Sequence, residues 1–404
     1  MSILITTAGS YGDVAPYTGL GVRLREAGYQ VAVAAHDAYA PLVRDAGLEF
    51  RRLPAGPSGR GPAVRRRDLV RTAATFAKEL GSALTEAVPA GAEMLLMSTT
   101  TAPLARHVAE ALGIASLDVP LQPNAPTGDF APPVGGARSL GRWGNRWAGR
   151  AALAMVDRVF GPAEAELRER LGLPRASARA LRAREAAEGR TVLYGFSTAV
   201  VSRPADWRPG LEVVGNWWPH HDPGGTLPPA VEDFLAVGAP PVFIGFGSMA
   251  AGEGERLGGL VVAALRRAGL RGILQSGRAG LRAESDEGVL TVGELPHALL
   301  FPRTAAVVHH AGAGTSAAAL RAGVASVPVP VAADQPFWAG RLARLGAAVA
   351  PVPFAGLTAD LLADALVRAV GDPSYAAAAA AAARRMSAED GAGAVVGAVE
   401  RLMP

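Results

Sequence analysis

Short apolar runs alternate along this chain with longer segments whose apolar residues recur at helical spacing. In the first half, Ile3 to Thr7, Gln30 to Ala35, Glu49 to Leu53, Met94 to Met97, Ile114 to Val119, Thr191 to Phe196 and Leu211 to Val214 read as strands. In the second half, Pro241 to Phe246, Arg271 to Gln275, Val289 to Val292, Ala305 to His309 and Ala325 to Pro330 read the same way. Helical patterns lie between them: Pro16 to Ala27 closed by Gly28, Asp37 to Ala46, Ala102 to Leu112, a segment from Glu253, the alanine run Ala376 to Ala383, and Ala388 to Leu402. Strands alternating with helices predict parallel sheets covered by helices. Two such series in 404 residues predict two Rossmann-like α/β domains rather than one core. Neither half repeats the other at a short period.

The pattern breaks at Trp217-Trp218-Pro219-His220-His221-Asp222-Pro223-Gly224-Gly225, which has linker composition. This divides the chain into a first domain over 1–217 and a second over 218–387, followed by a terminal helix at about 388–404. His220-His221-Asp222 is not read as a metal site, because three adjacent residues cannot converge on one ion without unusual backbone. It reads as solvated linker. Pro54 to Pro62 is a Gly/Pro-rich loop leading into Arg65-Arg66-Arg67, either a solvated loop or a lid. The basic cluster is short and carries no interleaved aromatic residues, which argues against nucleic acid as a partner. Residues 120–136 are another Pro/Gly-rich connection. Trp143 and Trp147 stand at i, i+4 and share one helix face, which reads as core.

Composition narrows the class. Half the residues are hydrophobic and 19% are charged, as in a globular protein, and the formal net charge is only +4. There is no cysteine, which excludes disulfides, thiol catalysis and thiolate metal sites. Lys78 is the only lysine, and richness in Arg, Ala and Gly fits a G+C-rich bacterial genome. The first residues lack the pattern of a signal peptide, and no apolar run reaches 18 residues, so a cytoplasmic protein without a transmembrane segment is expected.

Candidate chemistry concentrates at Val307-Val308-His309-His310-Ala311-Gly312-Ala313-Gly314-Thr315-Ser316. A buried strand runs into a small-residue turn and then a helix expected from about Thr315, capped by Thr315 or Ser316. Backbone N–H groups at such a helix start bind phosphate, and Gly312 and Gly314 allow close backbone approach. A plain turn that needs glycine for its geometry is the alternative. His309 should point to the opposite face and be structural. Ser248 follows a strand and a glycine, either as a phosphate contact or as a helix cap.

Three further stretches join this one: Glu294 to Arg303, Ala333-Asp334-Gln335-Pro336-Phe337-Trp338, and, near the N-terminus, Gly12-Asp13-Val14 with Pro126-Thr127-Gly128-Asp129-Phe130. Together they resemble nucleotide-sugar glycosyltransferases of GT-B architecture, with bacterial antibiotic glycosyltransferases and the sterol-glucosyltransferase-like group as the nearest in pattern. The resemblance spans nearly the whole chain. It implies two domains facing a central cleft, with the terminal helix crossing back onto the first. It implies a diphosphate grip from His310, Gly314 and Thr315, to which the sequence adds Gly312 and, unless it is a helix cap, Ser248. Asp334 and Gln335 would hold the sugar hydroxyls, and Leu295 and Pro296 would lie by the nucleobase. Many relatives carry a histidine base where this chain has Asp13. A carboxylate there can take the acceptor proton if burial raises its pKa, although Asp just before a helix is also favoured as an N-cap. On the acceptor side the resemblance implies Ser10, Asp129, Trp143 and Trp147.

The implied activity is inverting transfer of a sugar from a dTDP-deoxysugar or UDP-glucose to a hydrophobic natural-product aglycone, as in antibiotic biosynthesis. Neither a metal nor another cofactor is called for, and a homodimer stays open. Uridine-type relatives often carry a glutamate eight residues beyond the motif histidine. Here that position is Ala318, which leans toward dTDP, although sterol-type relatives lack the glutamate too. The alternatives are a non-catalytic partner protein of the same fold and a transferase acting on a sterol or lipid. An NAD-dependent oxidoreductase would rest only on the incomplete pattern Gly245-Phe246-Gly247.

Overall fold

The computed structural model describes residues 1–56, 66–136, 138–221, 224–247, 253–277, 280–283 and 288–403, and in it the chain builds two parallel sheets. The first contains β1 (Ser2–Thr6), β2 (Gln30–His36), β3 (Glu49–Leu53), β4 (Met94–Met97), β5 (Ala115–Asp118), β6 (Val192–Tyr194) and β7 (Leu211–Val213), in the order β3-β2-β1-β4-β5-β6-β7. The second contains β8 (Val242–Gly245), β9 (Gly272–Gln275), β10 (Val289–Val292), β11 (Ala306–His309) and β12 (Ser326–Pro328), in the order β10-β9-β8-β11-β12. Each order reverses once, between β1 and β4 and between β8 and β11. Open parallel sheets bind ligands at such switch points, beyond the carboxyl ends of the strands.

The first domain carries α1 (Tyr11–Glu26), α2 (Ala40–Asp45), α3 (Arg66–Ala87), α4 (Ala102–Leu112), α5 (Gly141–Arg170) and α6 (Ala178–Ala187). The second carries α7 (Pro229–Ala236), α8 (Gly254–Ala268), α9 (His297–Leu300), α10 (Ala313–Arg321), α11 (Gln335–Arg344), α12 (Ala359–Gly371) and α13 (Pro373–Met386), and α14 (Gly391–Leu402) closes the chain. Strands buried on both faces explain the near-continuous apolar runs: β4 and β8 are buried at every position. Ile3, Val33 and Leu96 pack toward α1 and α14, while Leu4, Ala34 and Met97 pack toward α3, α4 and α5. Val395, Ala398 and Val399 of α14 therefore belong to the core of the first sheet. Trp217 Nε1 donates to the Gly391 carbonyl at 3.1 Å, which ties the crossover to the start of that helix.

Several boundaries differ from the sequence reading, each for a local reason. α1 begins at Tyr11, not near Pro16, because Ser10 takes the N-cap position and its backbone N–H and hydroxyl both donate to Asp13 Oδ2, at 2.7 and 2.8 Å. Asp13 is thus the third residue of the helix and not its N-cap. Pro16 costs the helix only one intrahelical bond, at the Gly12 carbonyl. α10 likewise starts at Ala313, two residues early, with Gly312 as N-cap and no side-chain cap.

The crossover is not simply solvated. Trp217 is buried, and the His220 N–H donates to Thr18 Oγ1 at 2.9 Å. Asp222 lies outside the described residues, as do Ser248, the loop over 57–62, and Arg65. Trp143 and Trp147 do not enter the core: they are 85% and 73% exposed. α5 leans on the 126–128 segment through Asn145 and Gly149, which are buried. A Cβ on Gly149 would stand 3.0 Å from Pro126. Both tryptophans lie two residues away from that face and point outward. No helix among the described residues is long and apolar enough to cross a membrane.

Candidate active site

Asp13 stands beyond the carboxyl end of β1, at the first switch point. Its Oδ2 is occupied by the two Ser10 donors, and Oδ1 has no partner among the described residues. Gly9, at φ +146°, makes this possible, since a Cβ there would stand 2.4 Å from Asp13 Oδ2. Thr7 Oγ1 donates to the Asp13 carbonyl at 2.6 Å and pins the turn. Burial raises the Asp13 carboxyl above its ordinary pKa, and the Ser10 hydrogen bonds oppose that only in part. Next to it, the Tyr11 hydroxyl is raised by burial and by the negative charge of Glu294. The turn after β1 therefore faces the segment before α9 in the other domain.

His310 follows β11 at the second switch point. Its ring fits between two glycines: a Cβ on Gly247 would come within 2.7 Å of the ring, and one on Gly312 within 2.6 Å. Burial holds its pKa down to about 4, opposed in part by the Gly245 carbonyl, so the ring is neutral near pH 7. Its Nδ1 has no hydrogen-bond partner among the described residues. His309 is buried, accepts from the Ala311 N–H at 3.1 Å through Nδ1, and has its pKa lowered to about 3, chiefly by burial. That matches its reading as structural. His297 stacks on Phe301 at 4.3 Å and is lowered to about 4 by burial first and His310 second.

Ser316 N donates to the Gly312 carbonyl at 2.9 Å, the first bond of α10. The N–H groups of Ala313, Gly314 and Thr315 precede it, so they have no intrahelical partner and no side-chain cap. This positive helix end, beside a neutral imidazole, is suited to a diphosphate.

Asp334 follows β12 and closes the arrangement. The two bonds to its Oδ2 come from different domains: Trp338 Nε1 at 2.7 Å and Gln122 Nε2 at 2.9 Å. Its pKa is raised, first by burial and also by the charge of Asp13. The Gln335 Oε1 accepts from Val331 N and Ala332 N at 2.7 and 3.1 Å, so this oxygen shapes the loop and only the amide nitrogen remains for a ligand. Leu295 is half-buried, and Pro296 is exposed as the residue before α9.

The domains also meet where Phe130 packs on Phe337 at 5.5 Å, with the Arg341 guanidinium 4.9 Å from each ring. On the first-domain side, Asp206 gathers the 127–130 segment: it accepts from Thr127 Oγ1 at 2.6 Å, Gly128 N at 2.8 Å and Arg146 Nη2 at 2.5 Å. Asp129 pairs with Arg142 at 3.3 Å, close to the exposed Trp143. So the predicted acceptor residues fall into two groups, Ser10 beside Asp13 and the others at the start of α5.

Known proteins match this chain over nearly its whole length. Residues 3–124 match the glycosyltransferase family 28 N-terminal domain, and residues 274–402 match the C-terminal domain of erythromycin biosynthesis protein CIII-like proteins. The chain is 37% identical to O-mycaminosyltylonolide 6-deoxyallosyltransferase of Streptomyces fradiae, over 97% of this chain and 95% of that one. It is 33% identical to vancomycin aglycone glucosyltransferase of Amycolatopsis orientalis, over 94% and 92% of the two chains. The chain belongs to the antibiotic glycosyltransferases. Its fold matches the solved glycosyltransferase VinC in complex with dTDP, with a TM-score of 0.69 and 20% identity over 100% of this chain and 99% of that one. The two-domain GT-B architecture expected from the sequence is the observed one.

Sequence reasoning missed Gln122, Asp206 and Arg341 in this glycosyltransferase. A signal existed for Gln122, which lies just past β5 on the edge of the cleft, where polar residues of parallel sheets meet ligands. Asp206 is distant in sequence from Thr127, Gly128 and Arg146, and Arg341 from Phe130, although Phe337 lies one helical turn before Arg341 on α11.

Proposed function

We propose that this enzyme is an inverting, metal-independent glycosyltransferase that uses a nucleoside diphosphate sugar, with Asp13 as the base. The observation that carries the reading is the pair Asp13 and Asp334. They belong to different domains, the charge of Asp13 raises the pKa of Asp334, and each has Oδ2 fixed by two donors. A hydroxyl between them can lose its proton to Asp13 Oδ1 while a sugar is held against Asp334. The acceptor oxygen then attacks the anomeric carbon from the face opposite the leaving diphosphate, and configuration inverts. Negative charge grows on the diphosphate as the bond breaks. The α10 N–H groups, His310, Gly312, Gly314 and Thr315 stabilise it as fixed donors or by close approach. Leu295 and Pro296 flank the nucleobase, Gln335 Nε2 adds a sugar contact, and Ser248 is assigned a phosphate contact from the sequence.

Ser10, Asp129, Trp143 and Trp147 are assigned to an apolar aglycone, with 1–217 as acceptor domain and 218–387 as donor domain. The carrier is dTDP or UDP; Ala318 in place of a glutamate favours dTDP. Thermal unfolding with UDP, dTDP, GDP and NAD in turn, beside a His310→Ala variant, tests the reading. A midpoint raised by dTDP or UDP and lost in the variant supports it by mass action. A shift with NAD alone overturns it. Exposure of Trp143 and Trp147, with Arg150 exposed nearby on the same helix, favours a second reading, a lipid-borne acceptor. Co-sedimentation with anionic vesicles decides between the two.

A further inference from the structure

Gln122 is mounted on the first domain but spends its amide on the second. Its loop is rigid: Pro120 and Pro123 flank it, Gly195 N donates to the Pro120 carbonyl at 2.9 Å, and Asn124 N donates to the Gln122 carbonyl at 2.9 Å. Tyr194 Oη adds a bond to Asn124 Oδ1 at 3.1 Å. The side chain is half-buried and reaches Asp334 Oδ2 through Nε2. The amide is oriented this way because Asp334 is an acceptor. Gln122 Oε1 has no partner among the described residues, and no other described residue bonds Asp334 Oδ1, although the Asp334 backbone N–H also meets its own carboxyl. The neighbouring bond on Asp334 is of a different kind, since Trp338 is buried and wedged edge-on against Phe196 and Phe337. Trp338 is therefore a fixed donor and Gln122 an adjustable one.

We propose that Gln122 is a donor-sugar specificity residue. Its Oε1, together with Asp334 Oδ1, forms a two-acceptor clamp for one sugar hydroxyl, and its Nε2 holds Asp334 in register across the domains. A hydroxyl between two acceptors donates to one of them, and the carboxylate of Asp334 is the stronger acceptor, with the Gln122 amide oxygen as the neutral alternative. The clamp reads the sugar and leaves the diphosphate to α10 and His310. This rests on the donor-site reading above and adds a residue that reading does not use. A site built to bond a hydroxyl discriminates strongly against the analogue that lacks it, because its polar groups are then left unpaired.

The test is calorimetric and needs no acceptor. Dissociation constants for dTDP, dTDP-glucose, UDP and UDP-glucose are measured on the wild type, Gln122→Ala and Gln122→Glu, with circular dichroism as the control for folding. The quantity read is the ratio of affinity for the sugar nucleotide to that for the bare nucleotide. Gln122→Ala is expected to lower this ratio about tenfold, as for loss of one good hydrogen bond, with bare-nucleotide affinity unchanged within about twofold. Gln122→Glu places a second carboxylate against Asp334. The ratio should fall at pH 8 and recover in part at pH 6, where the pair shares a proton. Wild-type ratios in both variants overturn the proposal. Loss of bare-nucleotide affinity to the same extent also overturns it, by making Gln122 a general support of the cleft. Failure of the wild type to bind any of the four ligands refutes the donor-site reading, and the clamp with it.

Discussion

Ala311 and Ala333 are the two non-glycine residues, among those described, that sit at positive φ, at 61° and 57°. One precedes the Gly312 cap of α10 and the other immediately precedes Asp334. Such a conformation costs on the order of 1–3 kcal/mol and persists only where its surroundings impose it. Here they do: the Ala311 N–H is held by His309 Nδ1, and the loop before Asp334 is held by Gln335 Oε1. A β-branched residue tolerates this backbone poorly. Ala333→Val is therefore expected to lose about 1–3 kcal/mol in urea unfolding and to weaken sugar-nucleotide binding more than bare-nucleotide binding. Ala333→Gly should keep both. A Val variant as stable as the wild type would mean the loop is not strained.

Much of the fold was legible because buried parallel strands are written as apolar runs. β3, β4 and α4 fall where the pattern puts them. Residues whose role is set by neighbours in sequence were legible too, such as His310 beside the start of α10. What was lost depends on long-range packing. Helix spacing placed Trp143 and Trp147 on one face but could not say which face of α5 would meet Pro126. The start of α1 was obscured by Pro16, which reads as a first-turn residue, while the Ser10–Asp13 bonds that set the true start are invisible to periodicity. Gln122 and Asp334 are 212 residues apart, and nothing local in either predicts their bond.

Asp206 offers a stability test. Burial pushes its carboxyl up, but the bonds from Thr127, Gly128 and Arg146 outweigh this and bring it down to about 2. A depressed carboxylate contributes stability that is present above its unfolded value, near 4, and is lost as pH falls toward 2. Asp206→Asn should therefore cost about 1.5–3 kcal/mol at pH 7, the range for hydrogen bonds to a charge. The difference from wild type should shrink by pH 3. An equal penalty at both pH values would show that shape, and not charge, holds the 127–130 segment.

Glu164 and His107 work in opposite directions. Burial raises Glu164 to about 7, against the attraction of Arg106, Arg182 and Arg168 and alongside the repulsion of Asp157. Burial first, then Arg168 and Arg106, lower His107 to about 4, although Glu110 opposes them. The folded state keeps a proton on Glu164 that the unfolded state releases, so this residue costs stability as pH rises from about 4.5 to 7. The folded state sheds a proton at His107 that the unfolded state keeps, so this residue adds stability as pH rises from about 4 to 6.5. In the shared window the two nearly cancel. Glu164→Gln removes only the first, so it should match wild type near pH 4.5 and exceed it by roughly 2 kcal/mol at pH 8. Thermal unfolding across that range checks it, and no gain at pH 8 would show that Glu164 is not buried against its charge.

Asp13 decides whether the cleft is catalytic as drawn. The carboxylate form is the base, so kcat/KM should fall as pH drops through the Asp13 pKa. Burial places that acid limb above the range of an ordinary aspartate. Asp13→Asn keeps the size of the side chain and one oxygen for the Ser10 donors but cannot accept the proton at neutral pH. It should lower kcat by about 10²–10⁴-fold, remove the acid limb and leave nucleotide affinity unchanged, because α10 and His310 are untouched. An Asn variant with wild-type turnover would move the base elsewhere. A variant that loses turnover and nucleotide affinity together would instead make Asp13 a brace for the start of α1, acting through the two Ser10 bonds.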